Sequence, residues 1–574
     1  MIRRLRPLAA VLGAALLLSA CTGGSPAAST GSSSGAPSGA AATGSESGSG
    51  AGSVAASGTA DPLPAPPGNP AGLPGVPTDD AHIARAIDQV DAIAQDAMDR
   101  SGLPGMAVAV VHGGKIVFAK GYGVREVGRP GAVDADTSFQ LASVSKPIGA
   151  TVVAAEVGKG TVDWTTPVVD HLSGFTLADP GVTQNVTIAD LYAHRSGLPN
   201  HAGDDLEDLG YDQQQIFDRL KYLPLNPLRA VYNYTNFGMT AGAESVAAAA
   251  GTAWSTLSSR DLYAPLGMST TSSDFAAFQA NPNHAVLHAP IDGGGYAATY
   301  VRDPDNQSPA GGVSGSATDV AKWMALVLAG GKAPDGTQLV DDAALRTALT
   351  PVIRSADGSP TPEQIDARAG FYGEGIGVSN DATGRVRLTH SGAFSSGAGT
   401  TVMMIPALDL GIVVLTNGTA NGTAESVTAS FADVAEYGAV QYDWLTAFQN
   451  AFVAINAPQG ELVGQTPPAA AAPAAATSAY VGTYQNDYFG PITIGESGGG
   501  LVLTAGPKQV QYQLTHWDGP TFTFDPVGNR GTEPGGENVA DGSISEVTFT
   551  MTGDSASSVT VEQWNKNGLG TFTR

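Results

Sequence analysis

A serine three residues ahead of a lysine, Ser143 and Lys146 in F-Q-L-A-S-V-S-K-P-I, makes the first demand on this fold. Side chains at i and i+3 share a face when the backbone coils into a helix, so a helix must open at this serine for the two to meet. There Lys146 projects over the turn carrying Ser143 and serves as its base once burial or a nearby cation depresses its pKa. The serine needs such a neighbour, because a hydroxyl is a poor nucleophile at neutral pH. Pro147 agrees with the placement, since proline is tolerated in a first turn and costly deeper in a helix. A helix start also leaves backbone N–H groups unpaired beside the serine, which suits a developing oxyanion. Taken singly, the same pattern describes a serine cap followed by a solvated lysine.

Two later segments offer partners. Tyr234 and Asn236 stand in V-Y-N-Y-T-N-F-G, an aromatic-rich stretch expected to turn before a helix over Met239 to Ala250. A phenol near a lysine ammonium has a lowered pKa and acts as general base or proton relay. Asn236 has both a donor and an acceptor, suited to gripping a substrate amide and to holding Lys146. The plainer alternative is a pair of packing aromatics with turn-forming asparagines. His390, Ser391 and Gly392 end a strand candidate, R-V-R-L-T, where Gly392 lets a substrate approach the backbone and Ala393 can donate its N–H. A His-Ser-Gly turn without chemistry is the alternative there. His194, in H-R-S-G-L-P, is expected to shape a loop, because Gly197 and Pro199 read as turn chemistry.

In their order along the chain these segments resemble those of the serine β-lactamase superfamily, on the branch with class C β-lactamases, D-Ala-D-Ala carboxypeptidases, D-aminopeptidases and related esterases. The resemblance runs from about 79 to 455 and includes L-Y-A-H-R-S-G-L-P (Leu191 to Pro199), P-A-G-G-V-S-G-S-A-T-D-V-A-K-W-M (Pro309 to Met324) and V-M-M-I-P. It implies Ser143 as acylated nucleophile, Lys146 and Tyr234 as the base system and Asn236 as a substrate contact. It also implies a substrate-binding strand at His390, Ser391, Gly392 and Ala393, with the N–H groups of Ser143 and Ala393 as oxyanion hole. One departure matters: most β-lactamases have K-T-G where this chain has H-S-G. A neutral imidazole anchors a carboxylate more weakly than a permanent cation, which favours esters or peptides over β-lactams. No dedicated deacylating carboxylate is identifiable from the sequence. Nor is a metal site: the nine histidines are scattered and H-E-x-x-H is absent, so no cofactor is expected. The G-x-S-x-G elbow and the Walker and Rossmann glycine patterns are absent too, which argues against an α/β-hydrolase.

The start of the chain reads as a secretion signal. Arg3, Arg4 and Arg6 precede an apolar run, Leu8 to Leu18, that is too short to span a bilayer. The run ends in L-S-A-C, which resembles the lipobox of bacterial lipoproteins and marks Cys21, the single cysteine, for lipidation. No internal disulfide is possible. With 28 basic and 53 acidic residues the net charge is −25, which disfavours nucleic acid and anionic headgroups as partners. The expected membrane link is therefore the lipid alone, on an extracytoplasmic protein. The oligomeric state is not legible.

The composition divides the chain into residues 1–21, a lipoprotein signal peptide; 22–78, a Gly/Ser/Ala/Pro tether; 79–457, a catalytic domain; 458–478, a Pro/Ala linker; and 479–574, a small barrel. Within the catalytic part, apolar residues from Ile83 to Met98 recur at helical spacing. Met106 to Val111 and Lys115 to Tyr122 flank His112-Gly113-Gly114 as a hairpin, and strands return near 385–389, 400–405 and 411–416. The expected fold class is α+β: an antiparallel sheet flanked by helices with a helical subregion, then a small all-β barrel of short runs between 501 and 564. His516 and Trp517 in that barrel are candidates to reach the active-site mouth, with a purely stabilising module as the plainer expectation. The leading functional reading is a serine hydrolase acting on a small-molecule or peptide substrate. The alternatives are a D-Ala-D-Ala carboxypeptidase, D-aminopeptidase or β-lactamase on peptidoglycan-type substrates, and a surface binding protein that has lost activity.

Overall fold

The computed structural model describes residues 78–291, 293–355, 369–381, 383–526 and 542–574. The signal sequence, Cys21 and all of the tether before Thr78 lie outside the described residues. Helix α1 (Asp80–Ser101) forms where the apolar repeat predicts it. Asp79 caps it by accepting from His82 N at 3.0 Å, and Gly102 ends it at φ 66°. Strands β1 (Gly105–His112) and β2 (Lys115–Gly123) make the hairpin, and Gly113 and Gly114 both take the positive φ that a two-residue turn of this kind requires.

The middle of the chain is helical. Helices α2 (Ser145–Lys159), α3 (Asp204–Asp208), α4 (Asn236–Ala249) and α5 (Ala317–Leu328) carry or buttress the residues singled out above. Helix α4 begins at Asn236 instead of Met239, so this asparagine opens the helix rather than sitting in the turn before it. Six further strands complete the sheet: β3 (Ile353–Arg354), β4 (Phe371–Tyr372), β5 (Gly377–Asn380), β6 (Val386–Phe394), β7 (Ala398–Ile405) and β8 (Leu410–Thr416). Across the sheet they run β2-β1-β8-β7-β6-β5-β4-β3, all antiparallel, so the N-terminal hairpin pairs with the last strand. Strands β1 and β8 are buried along almost their whole length, which is why they read as unbroken apolar runs. Helices α1 and α6 (Thr423–Tyr437) cover one face through Val90, Ala94, Val427 and Phe431, and the helical middle, including α2 and α5, covers the other. This is the α+β architecture, with its largest core on the side that carries α2.

Beyond residue 478 eight antiparallel strands follow one another in a meander, from Gly482–Tyr484 to Thr571–Thr573. The chain just past the first strand meets the last: Gln485 N donates to Thr573 O at 2.7 Å and Thr573 N donates back at 3.0 Å. The result is a nearly closed barrel filled by Tyr484, Phe522, Phe549 and Trp564. The segment 458–478 is fastened along its wall. Ile544 N donates to Gln459 O at 3.0 Å, Gly519 N to Ala472 O at 2.8 Å and Ala472 N to Asp518 Oδ1 at 2.6 Å. Among the described residues no helix is long and apolar enough to cross a membrane.

Candidate active site

Ser143 sits in a tight 3-10 turn, Ala142–Val144, that runs straight into α2. Ala142 before it takes a left-handed conformation at φ 47°, a strained choice for a residue with a Cβ. The turn is tied to the P-A-G-G-V-S segment. Leu141 N donates to Val313 O at 2.9 Å and Val313 N to Ser145 Oγ at 2.9 Å. Lys146 is fully buried, and its Nζ donates to Ser143 Oγ at 3.0 Å, Asn236 Oδ1 at 2.7 Å and the Ala310 carbonyl at 2.9 Å. These oxygens offset the desolvation of the ammonium. Tyr234 Oη donates to Ser143 Oγ at 2.7 Å, and the centre of its ring lies 4.5 Å from Lys146 Nζ. One serine oxygen is therefore met by an amine and a phenol at once.

The Y-T-N segment is gripped by the loop after Leu191. Asn200 Oδ1 accepts from Tyr234 N at 2.7 Å, and His201 N donates to the Tyr234 carbonyl at 2.8 Å. His194, buried and left-handed at φ 55°, holds the same segment by accepting from Asn233 N at its carbonyl and from Thr235 N at Nδ1. Its ring packs 4.5 Å from that of Tyr234 and 5.0 Å from that of Tyr372. Burial first, then the Lys146 charge, push its pKa well below the usual histidine value. A neutral ring with its neighbours fixed this way shapes the loop.

Strand β6 passes beside the turn that carries Ser143. A Cβ on Gly392 would lie 2.5 Å from the Leu141 carbonyl and 2.7 Å from Ser143 N, so glycine here makes room for the turn itself. His390 is buried, with Nδ1 2.7 Å from the Ser391 carbonyl and Nε2 2.7 Å from Tyr372 Oη. A carbonyl only accepts, so Nδ1 carries the proton and Nε2 accepts from the phenol. Burial, and then the charge on Lys146, push this imidazole down to about 3. Ser391 is placed differently from its neighbours: its hydroxyl donates to Thr401 Oγ1 on β7, at 3.2 Å. Ala393 follows at a half-exposed position.

Sequence reasoning missed Asp204, His201, Ala310 and Tyr372. Asp204 Oδ2 accepts from Asn236 Nδ2 at 3.1 Å and bonds His201 Nδ1 at 2.9 Å. Helix α3, which carries it, has five residues and no periodicity to betray it. The Ala310 carbonyl has no side-chain signature at all. The barrel meets this region through Tyr488 and Phe489 rather than His516 and Trp517. Gly203 N donates to Tyr488 Oη at 3.1 Å and Tyr211 Oη donates to the Phe489 carbonyl at 2.7 Å, whereas His516 Nε2 bonds Gly519 O within its own hairpin. Among the described residues no group of three or more His, Cys, Asp or Glu is placed to hold a metal ion.

Residues 90–436, more than half of the 574, match the family described as Beta-lactamase. Residues 466–568 match one described as Domain of unknown function (DUF3471). The chain is 26% identical over 456 residues to Unguisins hydrolase ungD of Aspergillus violaceofuscus (strain CBS 115571), covering 73% of this chain and 80% of that protein. It is 31% identical over 250 residues to Penicillin-binding protein 4 of Amycolatopsis lactamdurans; that match covers 42% of this chain and 64% of the relative. The structure of the octameric penicillin-binding protein homologue from Pyrococcus abyssi superposes with a TM-score of 0.52 at 15% identity. The superposition covers 83% of this chain and 98% of that one, a likeness of fold.

Proposed function

The chain belongs to the Beta-lactamase family of serine hydrolases, and on that premise we propose that it cleaves ester or amide bonds outside the cytoplasm through an acyl-enzyme on Ser143. One observation carries this reading: Ser143 Oγ is bonded both to a buried ammonium, Lys146 Nζ at 3.0 Å, and to a phenol, Tyr234 Oη at 2.7 Å. In the proposed reaction the Lys146–Tyr234 pair has first released one proton to solvent, leaving an amine beside a phenol or an ammonium beside a phenolate. Ser143 Oγ then attacks the carbonyl carbon and its proton fills that vacant place on the pair. The negative charge on the former carbonyl oxygen is met by the N–H groups of Ser143 and Ala393. Collapse breaks the bond to the leaving alcohol or amine, which takes the proton from the pair. Water then attacks the ester in the same way, frees the acid and returns the proton to Ser143. Asn236 holds Lys146 in place, and Gly392 keeps β6 close to the nucleophile turn.

Esters and peptides are favoured over β-lactams because His390 is neutral and both of its nitrogens are engaged. The match to a protein named for hydrolysing unguisins agrees with this reading. The match to a penicillin-binding protein supports a second one, a peptidase or carboxypeptidase acting on peptidoglycan-type substrates. Membrane attachment through a lipid on Cys21 is part of the proposal. Detergent phase partitioning of Cys21→Ser checks it, and an unchanged membrane fraction would sink it.

The test of the activity is intact-protein mass spectrometry of the full-length chain and its Ser143→Ala variant. Each is incubated separately with a fluorophosphonate, penicillin and p-nitrophenyl butyrate. A single adduct lost in the variant, with ester turnover, is the expected result. Labelling by penicillin without ester turnover selects the peptidase reading. No adduct and no turnover would leave a binding protein that kept the fold.

A further inference from the structure

We propose that the C-terminal barrel is a working part of the active site: Tyr488, acting through Gly203 and Asp204, holds the Asn236 amide so that its carbonyl faces Lys146. This inference rests on the hydrolase reading above and adds two positioning residues to it.

The contacts form one continuous line. Tyr488 Oη accepts from Gly203 N at 3.1 Å; Gly203 caps α3, whose first residue is Asp204. Asp204 Oδ2 accepts from Asn236 Nδ2 at 3.1 Å, Asn236 Oδ1 accepts from Lys146 Nζ at 2.7 Å, and Lys146 Nζ reaches Ser143 Oγ at 3.0 Å. The chemistry of the two ends settles how the amide is turned. A carboxylate only accepts and an ammonium only donates, so Nδ2 must face Asp204 and Oδ1 must face Lys146. Without Asp204 the amide loses the partner that fixes this orientation. Half a turn about its terminal torsion would then point an N–H at the lysine.

Asp204 in turn depends on the barrel. A five-residue helix has too few hydrogen bonds to hold its own place, and α3 has no side-chain cap. Gly203 sits at φ 94°, and a Cβ there would lie 2.7 Å from Ile216 and 2.9 Å from Phe237, the neighbour of Asn236. Of the barrel's contacts here, the Tyr488 hydroxyl takes Gly203 N, the residue next to Asp204, whereas the Phe489 carbonyl bonds Tyr211 beyond the far end of α3. Tyr488 and Phe489 are themselves buried. Asp204 is also buried, and its Oδ1 has no hydrogen-bond partner among the described residues. A carboxylate kept inside with one oxygen unmatched is costly, which fits a position retained for what its other oxygen does.

The experiment measures the second-order rate at which a fluorophosphonate labels Ser143 in the full-length chain, followed by intact mass. Tyr488→Phe keeps the ring and removes the acceptor, and it should slow labelling about tenfold. Tyr211→Phe breaks another hydrogen bond between the same two domains and should stay within about twofold of wild type. In an Asn236→Ala background the line is already cut, so adding Tyr488→Phe should change nothing further. Asp204→Ala should behave as Tyr488→Phe does in both backgrounds, with Asp204→Asn, whose carbonyl can still accept, recovering part of the rate. Wild-type labelling in Tyr488→Phe, an equal drop in Tyr211→Phe, or an undiminished drop in the Asn236→Ala background each overturns the proposal. Should Tyr488→Phe fail to fold, the Asp204 variants decide, and Asp204→Ala at the wild-type rate refutes it. Absence of any label on wild-type Ser143 sinks the hydrolase reading and this inference together. Normal labelling that is indifferent to Tyr488 removes this inference alone.

Discussion

Strand β6 carries a buried polar cluster at each end, and the two are built on opposite rules. Near its start Arg387 Nε lies 3.0 Å from Asp381 Oδ2 and its other arm bonds Glu436, while Arg385 Nη1 lies 3.6 Å from the same glutamate. Two cations meet two carboxyls. Glu436 is nonetheless pushed up to about 7, first by burial and then by the Asp381 carboxyl. Near the other end Lys146 is held by the neutral oxygens of Ser143, Asn236 and Ala310, beside an imidazole kept uncharged. Both clusters perturb pKa values, so perturbation alone does not mark the functional one. The difference lies in where the charge is directed: into mutual pairing at one end, and at a serine hydroxyl at the other.

The largest expected effect tests that contrast directly. Lys146→Ala should lower ester turnover by about a thousandfold or more while leaving a folded protein, as judged by its thermal transition. Near-wild-type turnover would remove Lys146 from the base system. Glu436→Ala should do the reverse. It leaves Arg385 and Arg387 undercompensated in a buried place and should cost about 3 kcal/mol of stability in denaturant unfolding. Turnover per folded molecule should hardly change. A fall in turnover with stability intact would break the comparison, because the paired cluster would then be serving the reaction.

How much of this was legible depended on whether the signal was local. Ser143 and Lys146 could be found because three residues of helix place them together, and α1 because its apolar repeat and Asp79 are contiguous. Strands β3 and β4, of two residues each, have no period to read, and the sheet order that puts β6 beside Ser143 is a property of long-range pairing. Gly392 was visible as a glycine near the site, but its purpose was not: it makes room for the Leu141–Ser143 backbone, which only the packed structure reveals. Asp204 was hidden because a surface helix and a buried five-residue helix use the same acidic residues, and the hydrogen bond on its neighbour Gly203 comes from a domain almost three hundred residues later.

A third buried carboxyl sharpens the contrast. Glu374 precedes Gly375, which packs on α2 so closely that a Cβ there would come 3.0 Å from the Lys146 carbonyl. Its Oε2 has no hydrogen-bond partner among the described residues. Burial pushes it up to about 8, with the Arg195 charge opposing and that of Asp190 adding. Because the folded value is raised, its contribution to stability is fully present below about 4.5 and is lost as pH climbs through about 8. Wild type should lose ~3 kcal/mol of stability between pH 6 and pH 9 from this group. Glu374→Gln should flatten that loss in urea melts at the two pH values. An unaltered pH dependence would show that Glu374 ionises freely.

The smallest effect concerns His390, the residue that the resemblance sets against the lysine of K-T-G. With Nδ1 donating to the Ser391 carbonyl and Nε2 accepting from Tyr372, neither nitrogen is left for a substrate. Its depressed pKa has a stability consequence of opposite sign to that of Glu374: the contribution is complete above about 6.5 and fades as pH falls toward about 3. Tyr372→Phe removes the hydroxyl that Nε2 accepts from and should cost ~1 kcal/mol of stability. If His390 serves only to brace β6 beside Ser143, KM for p-nitrophenyl butyrate and for an ester bearing a carboxylate should move together by less than about twofold. If the imidazole instead turns its Nδ1–H toward substrate during the reaction, releasing the ring from Tyr372 should lower KM for the carboxylate-bearing ester alone. That outcome would move His390 from the bracing side of the comparison to the reactive one. The same strand end would then both support the nucleophile and select what it attacks.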